Sequence, residues 1–418
     1  MPIGSVLALM LSAAPLPAQL PALPPPFPMT FTLATEAARA GSQAVSRAHL
    51  YEAGGYGFEP GATDAGFLFS VTVPEGNYRV TVRLGDRRSA GLTSVKAEAR
   101  RLMLRDVATR KGAFREVSFL VNVRTPLLAC PPETAPGGVA VLTTPREQAS
   151  YAWDEKLTLE FLGQPRIASI TVAPVEAPTL YLVGDSTVTD QRYEPAASWG
   201  QMLPAMLDDK VVVANHAESG ETLKSFLTEL RLAKVLSRMK RGDWLFIQFG
   251  HNDQKANWPQ TYADPVFTYP AYLRTYIAEA RARGANPVLV TSPERRNFDA
   301  QGRITDTLGD YPKAVRAVAQ AEGVPLIDLN VASRAIYEAL GPEVAPLAFN
   351  DGGKDKTHHN NYGAWLLASA VTEQIRAQIG TLAPHVTMPA FDPAHPPLPD
   401  AVKIAPSIAH SSQRPAGN

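Results

Sequence analysis

Cysteine is nearly absent from this chain of 418 residues; Cys130 is the only one. One thiol excludes an intramolecular disulfide, so cysteine usage says little about redox compartment. Cys130 follows the apolar stretch Pro126-Leu127-Leu128-Ala129 and reads as a small buried hydrophobe. Charge of one sign is also missing, because 40 Lys plus Arg balance 40 Asp plus Glu. Nucleic-acid binders usually show a basic excess or stripe, which speaks against that class. No apolar run reaches the roughly 18 residues that cross a bilayer, so no membrane span is expected. There is no helical His-x-x-x-His pair, no Cys/His cluster and no glycine-rich loop ahead of a Lys-Ser/Thr. Neither a metal site nor a cofactor is therefore implied.

Hydrophobic residues make up 45% and charged residues 19%, enough for a packed core. At about 150 residues per domain, the length suggests two or three domains. Residues 1–14 have the apolar core and small residues of a secretory signal but lack its basic start. A secreted or periplasmic protein is the expectation, with a disordered leader as the alternative. Residues 15–28 are rich in proline and read as an extended linker, which closes a leader of 1–28. From there to 176 the pattern has period two. Phe67, Phe69, Val71 and Val73 alternate with other residues, Pro74-Glu75-Gly76-Asn77 gives a turn, and Tyr78, Val80, Val82 and Leu84 alternate next. That predicts a hairpin with one buried face. Val117 to Val123 and Leu157 to Phe161 repeat the pattern, so residues 29–176 are expected to form a β-sandwich.

After Pro178 the pattern changes. Leu180 to Val183, Val211 to Ala214, Trp244 to Phe249, Pro287 to Val290 and Pro325 to Leu329 are short apolar runs. Such runs are typical of parallel strands covered on both faces. Helical patterns around Leu223–Leu232, Tyr272–Ala280 and Ala314–Ala319 separate them, and Ala364–Ile379 closes the series. The fold class is therefore α/β, with a five-stranded parallel sheet in a three-layer domain over 177–387 behind a smaller β-sandwich. Residues 388–418 are rich in proline and aperiodic, and are expected to be a loose tail.

Sites in open α/β sheets form at the carboxyl ends of the strands. The first run ends in Gly184-Asp185-Ser186-Thr187, where Ser186 reads as a nucleophile or, more blandly, as a helix N-cap. The second leads to Gly220, whose N–H can approach a ligand closely or which is an ordinary turn glycine. The third ends in Gly250-His251-Asn252-Asp253, where the amide of Asn252 can donate to an oxyanion or belong to an Asn-Asp turn. Asp355-Lys356-Thr357-His358-His359 precedes the last helical pattern. A serine hydroxyl needs a base, which His358 can supply, and Asp355 can fold back to hold its tautomer. A surface turn is the alternative there.

Together these four segments resemble the SGNH (GDSL-type) hydrolase superfamily. Within it, Tyr181 to Thr189, Ser198-Trp199-Gly200-Gln201, Gln248 to Gln254 and Asp355-Lys356-Thr357-His358 are most similar to the rhamnogalacturonan acetylesterases, over about residues 178–385. The first half is similar to the galactose-binding-like β-domains that precede this domain in some bacterial members. The resemblance implies a flavodoxin-like catalytic domain with a triad of Ser186, His358 and Asp355. It also implies an oxyanion hole from the Ser186 and Gly220 N–H groups and the Asn252 side chain. His359 is expected to be solvated or to sit behind the triad. Many members carry Gly-Arg-Ser where this chain has Gly220-Glu221-Thr222, so an arginine that could face an acidic sugar is missing.

Trp199, His251, Arg295 and Arg296 are candidates for substrate contact, each with packing or ion pairing as the alternative. Trp258 and Tyr262 are candidate cleft residues. The expected activity is that of a secreted serine esterase deacetylating a pectic polysaccharide, with the acetylated polysaccharide or oligosaccharide as its partner. The rival substrates are acetyl-xylan, a bacterial polysaccharide or a lipid. The rival class is a carbohydrate-binding protein without activity.

Overall fold

Period-two patterning builds the first half of the molecule: Phe67, Phe69, Val71, Val73, Tyr78, Val80, Val82 and Leu84 are all buried. The computed structural model describes residues 26–33, 41–129, 134–411 and 415. Cys130 and nearly all of the 1–28 leader lie outside the described residues. The strands of this half are β1 (Met29–Leu33), β2 (Gln43–Val45), β3 (Tyr56–Phe58), β4 (Gly66–Thr72), β5 (Gly76–Gly85), β6 (Gly91–Ala97), β7 (Arg101–Thr109), β8 (Phe114–Val123), β9 (Lys156–Gln164) and β10 (Ile167–Pro174). They form two sheets, in the orders β2-β1-β10-β5-β8 and β3-β4-β9-β6-β7. One core lies between them, with Phe31, Phe69, Val80, Phe119, Phe161 and Val172 among its residues.

The expected hairpin of β4 and β5 does not form. β4 pairs with β3 and β9, while β5 pairs with β8 and β10. The turn at Pro74-Glu75 carries the chain from one sheet to the other. Period two records only which face is buried, and both strands bury that face in the same core. Alternation is therefore satisfied across the sandwich as well as within a sheet.

Helix α1 (Pro145–Gln148) lies between β8 and β9 and is closed by a capping box of Thr144 and Glu147. The second half contains β11 (Thr179–Gly184), β12 (Ala196–Ala197), β13 (Val212–Asn215), β14 (Trp244–Gln248), β15 (Asn286–Val290), β16 (Leu326–Ile327) and β17 (His359–Asn360). Its main sheet runs β13-β11-β14-β15-β16, with every neighbour parallel. Successive residues of its strands point to opposite faces. Leu180 and Leu182 join one apolar layer with α2 (Trp199–Met202), α7 (Leu329–Val344) and α8 (Asn361–Gln378). Tyr181 and Val183 join the other with α3 (Leu223–Thr228), α4 (Arg231–Arg238), α5 (Thr268–Ala282) and α6 (Tyr311–Glu322). This is the expected three-layer α/β domain, and its strand order reverses beside β11, where such sheets open a crevice.

Of the stretch after 388, expected to be loose, the described residues up to 411 are fastened. Ser407 N donates to Glu194 at 2.8 Å, Ser407 Oγ donates to Glu160 at 2.7 Å, and Tyr362 donates to Pro397 O at 2.7 Å. A sequence without periodicity can still be ordered by side-chain and backbone hydrogen bonds to a surface already formed.

Candidate functional site

β11 delivers Ser186 to the carboxyl edge of the sheet. Gly184 is required just before it, because a Cβ there would lie 2.6 Å from the Gln248 carbonyl oxygen. The Asp185 carboxylate accepts from the N–H and the hydroxyl of Thr187 at 2.9 and 2.8 Å. Its carbonyl accepts from Val188 N and Thr189 N. The turn is thus built from Asp185, leaving the Ser186 side chain for other partners. Ser186 retains only 3% of its exposure.

β17 brings in the histidine. It pairs antiparallel with β12, Ala197 opposite His359, which lays the Asp355–His358 segment beside the loop that follows Ser186. His358 Nε2 lies 2.8 Å from Ser186 Oγ, and His358 Nδ1 lies 2.9 Å from Asp355 Oδ2. A carboxylate only accepts, so Nδ1 carries the proton and Nε2 is left to accept from the hydroxyl. Asp355 Oδ1 accepts from Thr357 N at 2.8 Å and His358 N at 3.0 Å. Burial alone would raise the Asp355 pKa. The hydrogen bond and charge of His358, with the backbone N–H groups, instead hold it well below the usual carboxylate range.

The adjoining strand ends bring the other residues. Gly220 adopts φ +90°, a conformation that favours glycine, in the loop after β13. Asn252 follows β14 and is buried. Its Nδ2 donates to Glu221 O at 3.1 Å, while its Oδ1 accepts from Lys255 Nζ at 3.0 Å. The amide is thereby oriented with its nitrogen on the Gly220–Glu221 side. Glu221, the residue after Gly220, is buried. It accepts from Ser225 Oγ at 2.7 Å and faces Arg231 Nε at 3.4 Å. Burial raises its carboxyl to about 8 despite that arginine.

The candidates for substrate contact fare differently. Trp199 is fully buried and donates from Nε1 to Gln248 Oε1 at 2.8 Å. It has no face for a sugar, because α2 packs it under α8. His251 is buried too; Nε2 donates to Pro293 O at 2.9 Å and Nδ1 lies 3.4 Å from Asp185 Oδ2. Arg296 is 8% exposed, sits over the Phe349 ring and donates to Gly353 O. Arg295 is half-buried, with its guanidinium near His251 O and Thr307. These two arginines tie the loop after β15 to its neighbours. Trp258 stacks under Lys255 Nζ, 4.2 Å from the ring centre.

Two side chains at the site escaped the sequence reading. Gln191 Nε2 donates to Ser186 O at 2.7 Å, and nothing in its surroundings in the chain marks it. Lys255 was legible in principle, since it stands three residues after Asn252, as His358 stands three after Asp355.

The second half of the chain is similar to known proteins. Residues 182–366 match the GDSL-like Lipase/Acylhydrolase family, a span that includes Ser186, Gly220, Asn252, Asp355 and His358. Rhamnogalacturonan acetylesterase RhgT of Bacillus subtilis (strain 168) is 41% identical over 209 residues, 47% of this chain and 88% of the relative. Probable rhamnogalacturonan acetylesterase YesY of the same organism is 38% identical over 202 residues, 47% of this chain and 92% of the relative. Its uncharacterized esterase YxiM is 30% identical over 323 residues, 76% of each chain, a match long enough to reach beyond the catalytic half. With most of RhgT and YesY covered at this identity, the chain belongs to the GDSL-like lipase/acylhydrolase family.

Proposed function

We propose that this protein is a carbohydrate acetylesterase acting on acetylated rhamnogalacturonan or a related pectic chain. Ser186 is its nucleophile, His358 its general base and acid, and Asp355 the residue that orients His358. The observation that carries this reading is the Asp355–His358–Ser186 relay, with hydrogen-bonding distances of 2.9 and 2.8 Å. The names of RhgT and YesY support the substrate class.

Ser186 Oγ attacks the acetyl carbonyl carbon while its proton passes to His358 Nε2. The resulting oxyanion is met by the Ser186 and Gly220 N–H groups and by Asn252 Nδ2. Collapse breaks the bond to the sugar oxygen, which leaves with the proton from Nε2. Water then attacks the acetyl-serine, gives a proton to Nε2 and releases acetate, and the serine recovers its hydrogen. The Asp355 carboxylate keeps Nδ1 protonated and stabilises the imidazolium formed in each half-reaction.

A second reading, the same chemistry on a neutral acetylated glycan such as xylan, is favoured by Glu221. That residue replaces the arginine that could meet an acidic sugar, and Arg295 and Arg296 are engaged in the fold. The test is acetate release from acetylated rhamnogalacturonan, acetyl-xylan and a long-chain lipid ester, with the chain and its Ser186→Ala variant. The pectic reading expects release from rhamnogalacturonan and none by the variant. Preference for xylan would favour the second reading, and release from the lipid alone would end both.

A further inference from the structure

The loop that carries Ser186 is gripped from the other half of the molecule. Between β6 and β7 the chain turns through Glu98, Ala99 and Arg100, with Glu98 at φ +54° and Arg100 at φ +65°. Side-chain-bearing residues stay in this left-handed region only where the surroundings enforce it. Here Glu98 N donates to Thr158 O at 2.8 Å, and its carboxylate accepts from Thr158 N at 3.0 Å.

The turn so held points into the catalytic half. Arg100 Nη1 donates to Gln191 O at 3.0 Å and Ala196 O at 2.9 Å, and its Nη2 pairs with Glu194. Arg101 Nε lies 3.1 Å from Asp190 Oδ2, while Asp190 Oδ1 accepts from Asn215 at 2.8 Å. Gln201 Nε2 donates to both Ala99 O and Gln191 O at 2.9 Å, joining the turn to the loop. Gln191 Nε2 in turn donates to Ser186 O at 2.7 Å. All of these side chains are buried. Leu102, the next residue of β7, belongs to the same apolar layer as Trp199 and α8.

We infer that the β6–β7 turn is a positioning element of the esterase: Arg100 and Arg101 hold residues 190–196, and Gln191 carries that placement to the backbone of Ser186. The β-sandwich is then part of what makes the serine competent, not a separate module. The inference rests on the proposed nucleophilic role of Ser186.

A merely structural contact would stabilise the junction without touching turnover. The molecule supplies the control, because Arg105, also on β7, lies over the Trp365 ring of α8 at 4.6 Å, a second contact between the halves. The experiment measures kcat, KM and Tm of the full chain on p-nitrophenyl acetate for Arg100→Ala, Gln191→Ala, their double variant, Arg100→Lys and Arg105→Ala. A small displacement of a reacting group costs up to about 100-fold, so Arg100→Ala and Gln191→Ala should each lower kcat at least about 10-fold with little change in KM. The double variant should lose little more than the worse single one, because both act along one chain of contacts. Arg100→Lys should recover part of the loss, while Arg105→Ala should lower Tm and leave kcat alone.

A folded Arg100→Ala enzyme with normal kcat, strictly additive losses, or an equal kcat loss in Arg105→Ala would each overturn the inference. If Arg100→Ala does not fold, Arg100→Lys replaces it in the cycle and the same outcomes decide. Ser186→Ala separates the two readings. Full turnover by that variant removes the nucleophile assignment, whereas an inactive Ser186→Ala beside a normal Arg100→Ala removes only the positioning role.

Discussion

The hydroxyl of Tyr337 lies 2.7 Å from Nε2 of His359, and this contact separates two histidines that are neighbours in the chain. His358 faces Ser186, whereas His359 turns into the core between Tyr337 and Phe349, the latter 4.5 Å away between ring centres. It is therefore not solvated. Burial, and then the charge of His358, push its pKa down to about 3.

That shift predicts acid sensitivity. Between the ordinary histidine value of about 6.5 and about 3, the unfolded chain binds a proton at this position that the native state refuses. Stability is complete above 6.5 and falls as pH drops toward 3, by at most about 1.4 kcal/mol per pH unit for this residue. His216, buried and also pushed well below its ordinary value, adds in the same direction. Glu221 and Glu98, both raised to about 8 by burial, take up protons in the native state over the same range and oppose this slope. The test is therefore differential: in thermal melts from pH 7 to pH 4, His359→Gln should lose less Tm, or gain more, than the parent chain. An unchanged slope in that variant would mean that His359 accepts its proton inside the fold.

Asp355 is expected to matter through the tautomer of His358. An amide at position 355 removes the obligatory acceptor opposite Nδ1 and lets the proton sit on Nε2, where it blocks uptake from Ser186. Asp355→Asn should keep the fold and lower kcat by about 10³- to 10⁴-fold. Steady-state rates on an aryl acetate check this. A loss below tenfold would show that His358 needs no orienting carboxylate.

Asn252 should show itself in kcat and much less in KM, because an oxyanion exists only after the carbonyl has been attacked. Removing one such donor lowers kcat by about 10²- to 10³-fold. Asn252→Ala, with acetate release measured over a substrate range, tests this. A raised KM at unchanged kcat would make Asn252 a contact of the ground state instead.

Trp199 should behave as a core residue. With no exposed surface and its indole N–H bonded to Gln248, Trp199→Ala leaves a cavity under α8 and should cost about 3–5 kcal/mol of stability. Denaturant titration measures the loss. Trp199→Phe, which keeps most of the volume, should bind substrate with nearly the original KM. A large KM effect in a stable variant would return Trp199 to the sugar site.

Much of this molecule is written locally. Apolar runs mark the strands of the parallel sheet, and period two marks the buried faces of the sandwich. Gly184-Asp185-Ser186, Gly220, Asn252 and the Asp355–His358 spacing stand at positions that the sheet edge then gathers. These features are legible because they depend on neighbours within a few residues. Their meeting follows from a topology that the alternation of strands and helices already implies.

The tertiary structure alone decided the rest. It put β4 and β5 into different sheets, since alternation names a buried face and not a hydrogen-bonding partner. It took Trp199 into the core and used Arg295 and Arg296 as ties, because one side chain serves packing or binding according to what distant segments leave open. It set Arg100 against Gln191, 91 positions away, and fastened Ser407 to Glu160, 247 positions away. Such pairs leave no local trace: a buried arginine needs only some carbonyl or carboxylate, and which one it meets is decided when the two halves close on each other.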